Sequence, residues 1–179
     1  MTKDEEIKAG LIAAGVPHSV HGTTLALENA LELRGAIAGG SLPGNPAKGL
    51  YVYPTQPGAA IRARSLFYLA AKELFLSGVT VHCLHLFRLG ELLASDRTSN
   101  EASRIDRVRV VFVSDFYERG APSPFASYDA ARVRYWIKDR FDAGFSVSFL
   151  SDAPTDACKD WWPQSFIKFV EANTIRQAV

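Results

Sequence analysis

The residues with the most chemical potential lie in "LYVYPTQPGAAIRARSLFYLAAKELFLSG", between Leu50 and Gly78. A short apolar strand runs into a Pro/Gly loop, then into an amphipathic helix that stops at glycine. That outline cradles nucleotide phosphates when the loop ends in Gly-Lys-Ser/Thr. Backbone N–H groups then hold the phosphates, the lysine reaches the outer ones and the hydroxyl ligates magnesium. Neither the lysine nor the hydroxyl stands at its place here. Counted from the strand, Pro54 takes the first position, and Ala59, Ala60 and Ile61 the last three. Counted back from Gly78, Pro57 comes first, and Arg62, Ala63 and Arg64 come last. A proline in the first place also removes an N–H donor. Pro54, Pro57, Gly58, Arg62 and Arg64 are therefore the residues of a vestigial phosphate loop. Arg62 or Arg64 is the only replacement on offer for the lysine charge, since guanidinium pairs well with phosphate.

A phosphate loop needs an acid at the end of a later strand, to hold the metal, and often a second acid to orient water. "RVRVVFVSD" ends instead in Ser114 and Asp115. Ser114 stands at the metal position and Asp115 at the water-orienting one, where an aspartate also serves as an ordinary turn cap.

Other candidates are simpler. In "VHCLHL", strand alternation puts Cys83 and His85 on one side and His82 on the other, so three metal ligands do not converge. Arg104, Arg107 and Arg109, with Arg132, Arg134 and Arg140 on a later helix, are a candidate nucleic-acid surface, with Tyr128, Tyr135 and Trp136 able to stack bases. The competing reading is a solvated helix face over core aromatics. In "DWWP", Trp161 and Trp162 cannot both enter one core, so one is expected at a surface or a partner interface.

These groups need elements to position them. The chain has 179 residues, 47% of them hydrophobic and 22% charged, and suits a globular domain with a sizeable core. Its net charge of +1 excludes a generally basic nucleic-acid binder. Two distant cysteines give no disulfide framework. The charged "MTKDEEIKAG" has no apolar signal core, and no run reaches membrane-spanning length, so a cytoplasmic protein without a membrane partner is expected. Residues 1–48 read as a helical lead-in, with helices over 3–15 and after Thr23 or Thr24 as far as Gly39–Gly40. From residue 49 to 179, strands and helices alternate: "LYVY", Ser65–Ser77, "VTVHCLHL", "FRLGELLAS", "RVRVVFVSD", "SYDAARVRYWIKDRFDAG", "FSVSFLSD" and the last helices in "APTDACKDWWPQSFIKFVEA". Alternation with right-handed crossovers predicts a three-layer α/β domain around a mainly parallel sheet.

From Gly15 to Asn173 this order resembles the AAA+ core of the DnaC/IstB group, the replicative-helicase loaders and their transposition relatives. "AGVPHSVHGTTLAL", "GLYVY…PG", "LAAKELFLSGVTVHCLHLFRLGELL", "VVFVSDFYERG" and "RYWIKDRFDAGFSVSFLSDAP" carry the resemblance. It implies a RecA/AAA+-type fold in which the strand starting at Leu50 neighbours the one ending at Asp115. It also implies that Asp152 occupies the polar sensor position, and that "WWPQSFIKFVEAN" stands where an arginine finger would be, with only Lys168 nearby. The departures imply a domain that has lost catalytic competence, with no cofactor. The expected work is that of an accessory factor in DNA replication or mobile-element maintenance. Its partners would be a replicative helicase, a helicase loader or single-stranded DNA, with self-association also open. The short stretch before Leu50 favours docking on a loader or helicase over direct loading. The alternative is a divergent ATPase that binds ATP and magnesium through Arg62 or Arg64.

Overall fold

Short apolar strands whose side chains alternate between two buried faces build the centre of the molecule. The computed structural model describes residues 2–23, 48–56, 58–95, 100–125 and 127–179. The helix expected after Thr24 and the residue Pro57 lie outside them. Five strands form one parallel sheet: β1 (Gly49–Tyr53), β2 (Val81–His85), β3 (Val110–Ser114), β4 (Ser146–Leu150) and β5 (Thr174–Ala178), in the order β2-β3-β4-β1-β5. Leu50, Val52, Val110 and Phe112 point to one face, and Tyr51, Val111, Val113 and Phe149 to the other. Burial on both sides explains why β3 is an unbroken apolar run.

The order corrects one expectation. β1 and β3 share a parallel sheet, but β4 lies between them. β4 fits there because its serines are small. The Leu50 N–H donates to Ser148 Oγ (3.1 Å), and Gly49 lacks the Cβ that would collide with the Val147 carbonyl. Strand order is a property of the assembled sheet, and alternation along the chain does not encode it.

Helix α2 (Ala60–Leu76) begins earlier than the expected Ser65 and carries Ala63, Phe67, Ala70 and Leu74 onto the first face. It returns the chain from β1 to β2 at the far edge, so its first turn stands over the C-terminal ends of the strands between. The opposite face is covered by α3 (Leu86–Ala94), α4 (Asn100–Arg107), α5 (Ser127–Asp142) and α6 (Gln164–Asn173). Its core is aromatic: Phe116 stacks on Trp162 with 5.1 Å between centroids, and Phe149 and Phe166 close the cluster. Gly144, in a left-handed conformation, ends α5 as expected.

Two elements depart from the sequence reading. The sequence predicts no element over residues 100–106 and a strand from Arg107, whereas α4 spans Asn100–Arg107; residues 174–178, for which no element is predicted either, form the edge strand β5. The lead-in starts with α1 (Lys3–Ala13), held by a reciprocal Thr2/Glu5 cap. Gly15, at φ 77°, turns the chain so that the Ala14 carbonyl accepts the Cys83 N–H (2.7 Å), covering the open edge of β2. The buried Lys72 ammonium then donates to the carbonyls of Val20, His21 and Thr23, at 3.2, 2.7 and 2.6 Å, and fastens this strap to α2.

Candidate functional site

Residues 54–59 join β1 to α2, which begins at Ala60. The helix therefore begins at the residue that the register counted from the strand expects in the lysine place. The start of α2 has no side-chain cap, so no capping side chain accepts from its first N–H groups. Gly58 is left-handed, at φ 89°. Thr55 is turned outward instead, donating its N–H (2.7 Å) and hydroxyl (2.9 Å) to the Val179 carbonyl. That pair ties the loop to the end of the chain beyond β5.

Four side chains meet beside this loop. β2 and β3 run in register with His85 opposite Ser114, so the two strand ends bring those residues together. Asp115 follows Ser114 at φ 56°, a conformation that strains most side chains but that aspartate tolerates. Its carboxylate accepts from His85 Nδ1 (2.5 Å), from Ser114 Oγ (3.3 Å) and from Arg64 (3.5 Å). Ser114 Oγ also lies 2.9 Å from the same His85 nitrogen. A serine–histidine–aspartate relay needs one partner on each ring nitrogen. Here serine and aspartate share Nδ1, so the cluster cannot move a proton from Ser114 through the ring to Asp115.

This cluster separates three cavities. One of about 30 Å³, room for roughly a water molecule, lies over the loop between Pro54, Ala60, Arg64, Asp115, Ser151 and Asp152. One of about 500 Å³ opens between the strap and the first turns of α2. A third, of about 430 Å³, lies on the far side of His85 and Asp115, with Phe87, Pro122, Pro124 and Trp161 around it. Pro54, Arg64, Asp115 and Asp152, picked out separately in the sequence, are thus brought together. Arg62 is exposed on α2 and does not line these cavities.

The tryptophans divide. Trp162 is buried, with its N–H donated to the Phe116 carbonyl (3.0 Å), so it cannot be a surface anchor. Trp161 is half-buried; its N–H reaches the Ala121 carbonyl (2.9 Å), and its ring meets Tyr117 edge-on. Of these two tryptophans, Trp161 alone offers area to a partner.

The arginine surface breaks up in a similar way. Arg140 is buried and donates to the carbonyls of Ile105 and Val108, both at 2.6 Å, at the end of α4. Burial lowers its pKa to about 10. Arg132 and Arg134 lie two residues apart on α5, about 200° around the helix, so they do not share a face. Tyr135 is exposed, whereas Trp136 is buried with its N–H on Asp106 (2.9 Å). His82 and Cys83 are both buried, and burial pushes the Cys83 thiol up, away from nucleophilic use. Among the described residues no group of three metal-ligating side chains converges, and no helix is long and apolar enough to cross a membrane. His85 is the site residue that sequence reading undervalued. Its signal was its position, closing β2 as Ser114 and Asp115 close β3.

No family model matches the chain, and no curated protein matches it. Its architecture is nevertheless shared with solved structures. A crystal structure of DnaI superposes with a TM-score of 0.66 at 14% identity, over 91% of this chain and 90% of that one. A putative primosome component from Streptococcus pyogenes serotype M3 gives 0.58 at 16% identity, over 93% and 90%. AMPPCP-bound DnaA from Aquifex aeolicus gives 0.62 at 10% identity, over 92% of this chain and 51% of that one. The domain has the α/β fold of the RecA/AAA+ type, as its resemblance to the DnaC/IstB group implied.

Proposed function

We propose that this domain is a catalytically silent AAA+-type scaffold, acting as an accessory factor in DNA replication or mobile-element maintenance. It would bind a replicative helicase, a helicase loader or single-stranded DNA. The observation that carries this reading is the content of the phosphate site. Ala60 and Ile61 replace the lysine and the hydroxyl, and the small space over them is bordered by the carboxylates of Asp115 and Asp152. A triphosphate there would meet two negative groups without the lysine or the metal-binding hydroxyl that normally offset its charge. The shared architecture with DnaI and a putative primosome component supports the replication setting. Between the named partners, a protein is favoured over DNA because Arg132 and Arg134 point apart and Arg140 is buried.

Calorimetric titration with ATP and magnesium tests the silent site. The expected outcome is no saturable heat, a Kd weaker than roughly 1 mM, and no phosphate release. The competing reading, a nucleotide site that uses Arg64, draws on that guanidinium lining the same cavity. It predicts magnesium-dependent turnover that Asp115→Ala abolishes.

A further inference from the structure

The largest of the three cavities has a chemistry distinct from the phosphate loop. Its walls are Pro17 and Val20 on the strap, Ile61, Arg64 and Tyr68 on α2, and His85 at the end of β2. Among the described residues no carboxylate lines it. Its charged or chargeable groups, Arg64 and His85, are 57% and 62% exposed, and both lean on Asp115 from outside the cavity. Ile61 is 78% exposed at its rim, an unusual place for a β-branched apolar side chain at the start of a helix. The cavity therefore combines an apolar floor, an apolar rim and a positive side wall.

We propose that this cavity is a docking site for a protein segment carrying a carboxylate beside a large apolar side chain. The apolar side chain fills the space between Pro17, Val20 and Tyr68 and covers Ile61. The carboxylate takes Arg64 and His85 over from Asp115. Exposed ion pairs contribute little, so an incoming acid alone would not hold, and the buried apolar group must supply most of the affinity. A small free anion is excluded by that argument. A nucleic-acid strand is disfavoured because successive phosphates would pass over Asp115, Asp152 and Glu118, which line the adjoining cavities. This inference goes beyond the replication reading and holds for any partner that presents such a segment.

Selection of a random twelve-residue peptide display library on the full chain tests it, followed by anisotropy titration of the enriched peptides. The expected result is a shared Asp or Glu next to Leu, Phe or Trp. Affinity should fall at least about tenfold with Arg64→Glu and with Ile61→Lys. Both positions are exposed, so both variants should fold, and unchanged thermal melting checks that they do. A peptide with lysine in place of its acid should recover binding to Arg64→Glu. Enriched peptides that are basic, or that bind both variants unchanged, overturn the proposal. So does an oligo-dT strand that binds the wild-type chain and displaces the peptides.

Discussion

Asp115 and Phe116 are consecutive, yet they belong to regions built on opposite principles. Around Asp115 the groups are charged, about half exposed and joined by pairs of uneven length, with the backbone in a left-handed turn. Around Phe116 the groups are aromatic, buried and stacked, and each indole N–H finds a backbone carbonyl. The end of β3 is thus a border. Below it, packing holds the fold, and a substitution should read out as lost stability. Above it, little stability is at stake, so side chains there can serve binding.

The adjacent tryptophans give the sharpest test of that border. Trp162→Ala removes a buried ring from the Phe116–Phe166 stack and should cost about 3–5 kcal/mol in denaturant unfolding. Trp161→Ala removes a half-buried ring and should cost less than half as much. Equal losses would mean that the border runs elsewhere.

Two of the three cations of α2, Lys72 and Arg64, extend the comparison. Lys72→Met leaves the carbonyls of Val20, His21 and Thr23 without their shared donor, and should destabilise by about 2–3 kcal/mol. It should also speed amide exchange in the strap over residues 14–22. Arg64→Met breaks an exposed pair and should stay within about 0.5 kcal/mol of wild type. A large loss at Arg64 would make the Asp115 cluster part of the scaffold.

Below the border a buried base should respond to acid. Both nitrogens of His82 are buried without a hydrogen-bond partner, and Glu101 Oε1 lies 3.8 Å away. Burial first, then the nearby Arg104, lower its pKa. The unfolded chain therefore takes up the proton before the folded one does. Stability should be fully present above the ordinary histidine value near 6.5 and fall as pH drops from there toward the folded value. Chemical denaturation between pH 8 and 5 should reveal that slope, and His82→Phe should flatten it.

How much of this was legible in the sequence follows the same border. β1 to β4 were legible because buried parallel strands are apolar runs bounded by turns. β5 was not, because "TIRQA" is a polar edge strand whose partner lies far upstream in the chain. α4 was hidden in a similar way, since its eight residues are mostly polar and only Ala102 and Ile105 reach the core. At the site, the loop and Asp115 could be found from spacing alone. The meeting of Arg64, His85 and Asp115 depends on strand order and register, and the sequence reading had that order wrong. The division between Trp161 and Trp162 depends on how the turn before α6 is wound.

The finest distinction lies at Asp115 itself, where backbone and charge can be separated. A left-handed conformation costs an ordinary side chain about 1–2 kcal/mol, and aspartate and asparagine less. Glycine pays no such penalty but loses more entropy on folding, by roughly 0.5–1 kcal/mol. Asp115→Asn keeps the tolerance for this turn and removes only the charge, so its stability should stay within about 0.5 kcal/mol of wild type. Asp115→Gly gains in the turn and loses entropy, and should also end close to wild type. Asp115→Ala combines the wrong turn residue with the lost pairs, and should be the least stable by about 1 kcal/mol. Thermal melting of the three variants at neutral pH reads the order. If alanine and glycine melt together, the turn is not strained. If asparagine is as poor as alanine, the pairs to Arg64 and His85 contribute more than exposed pairs do, and the charged cluster belongs with the core beneath it.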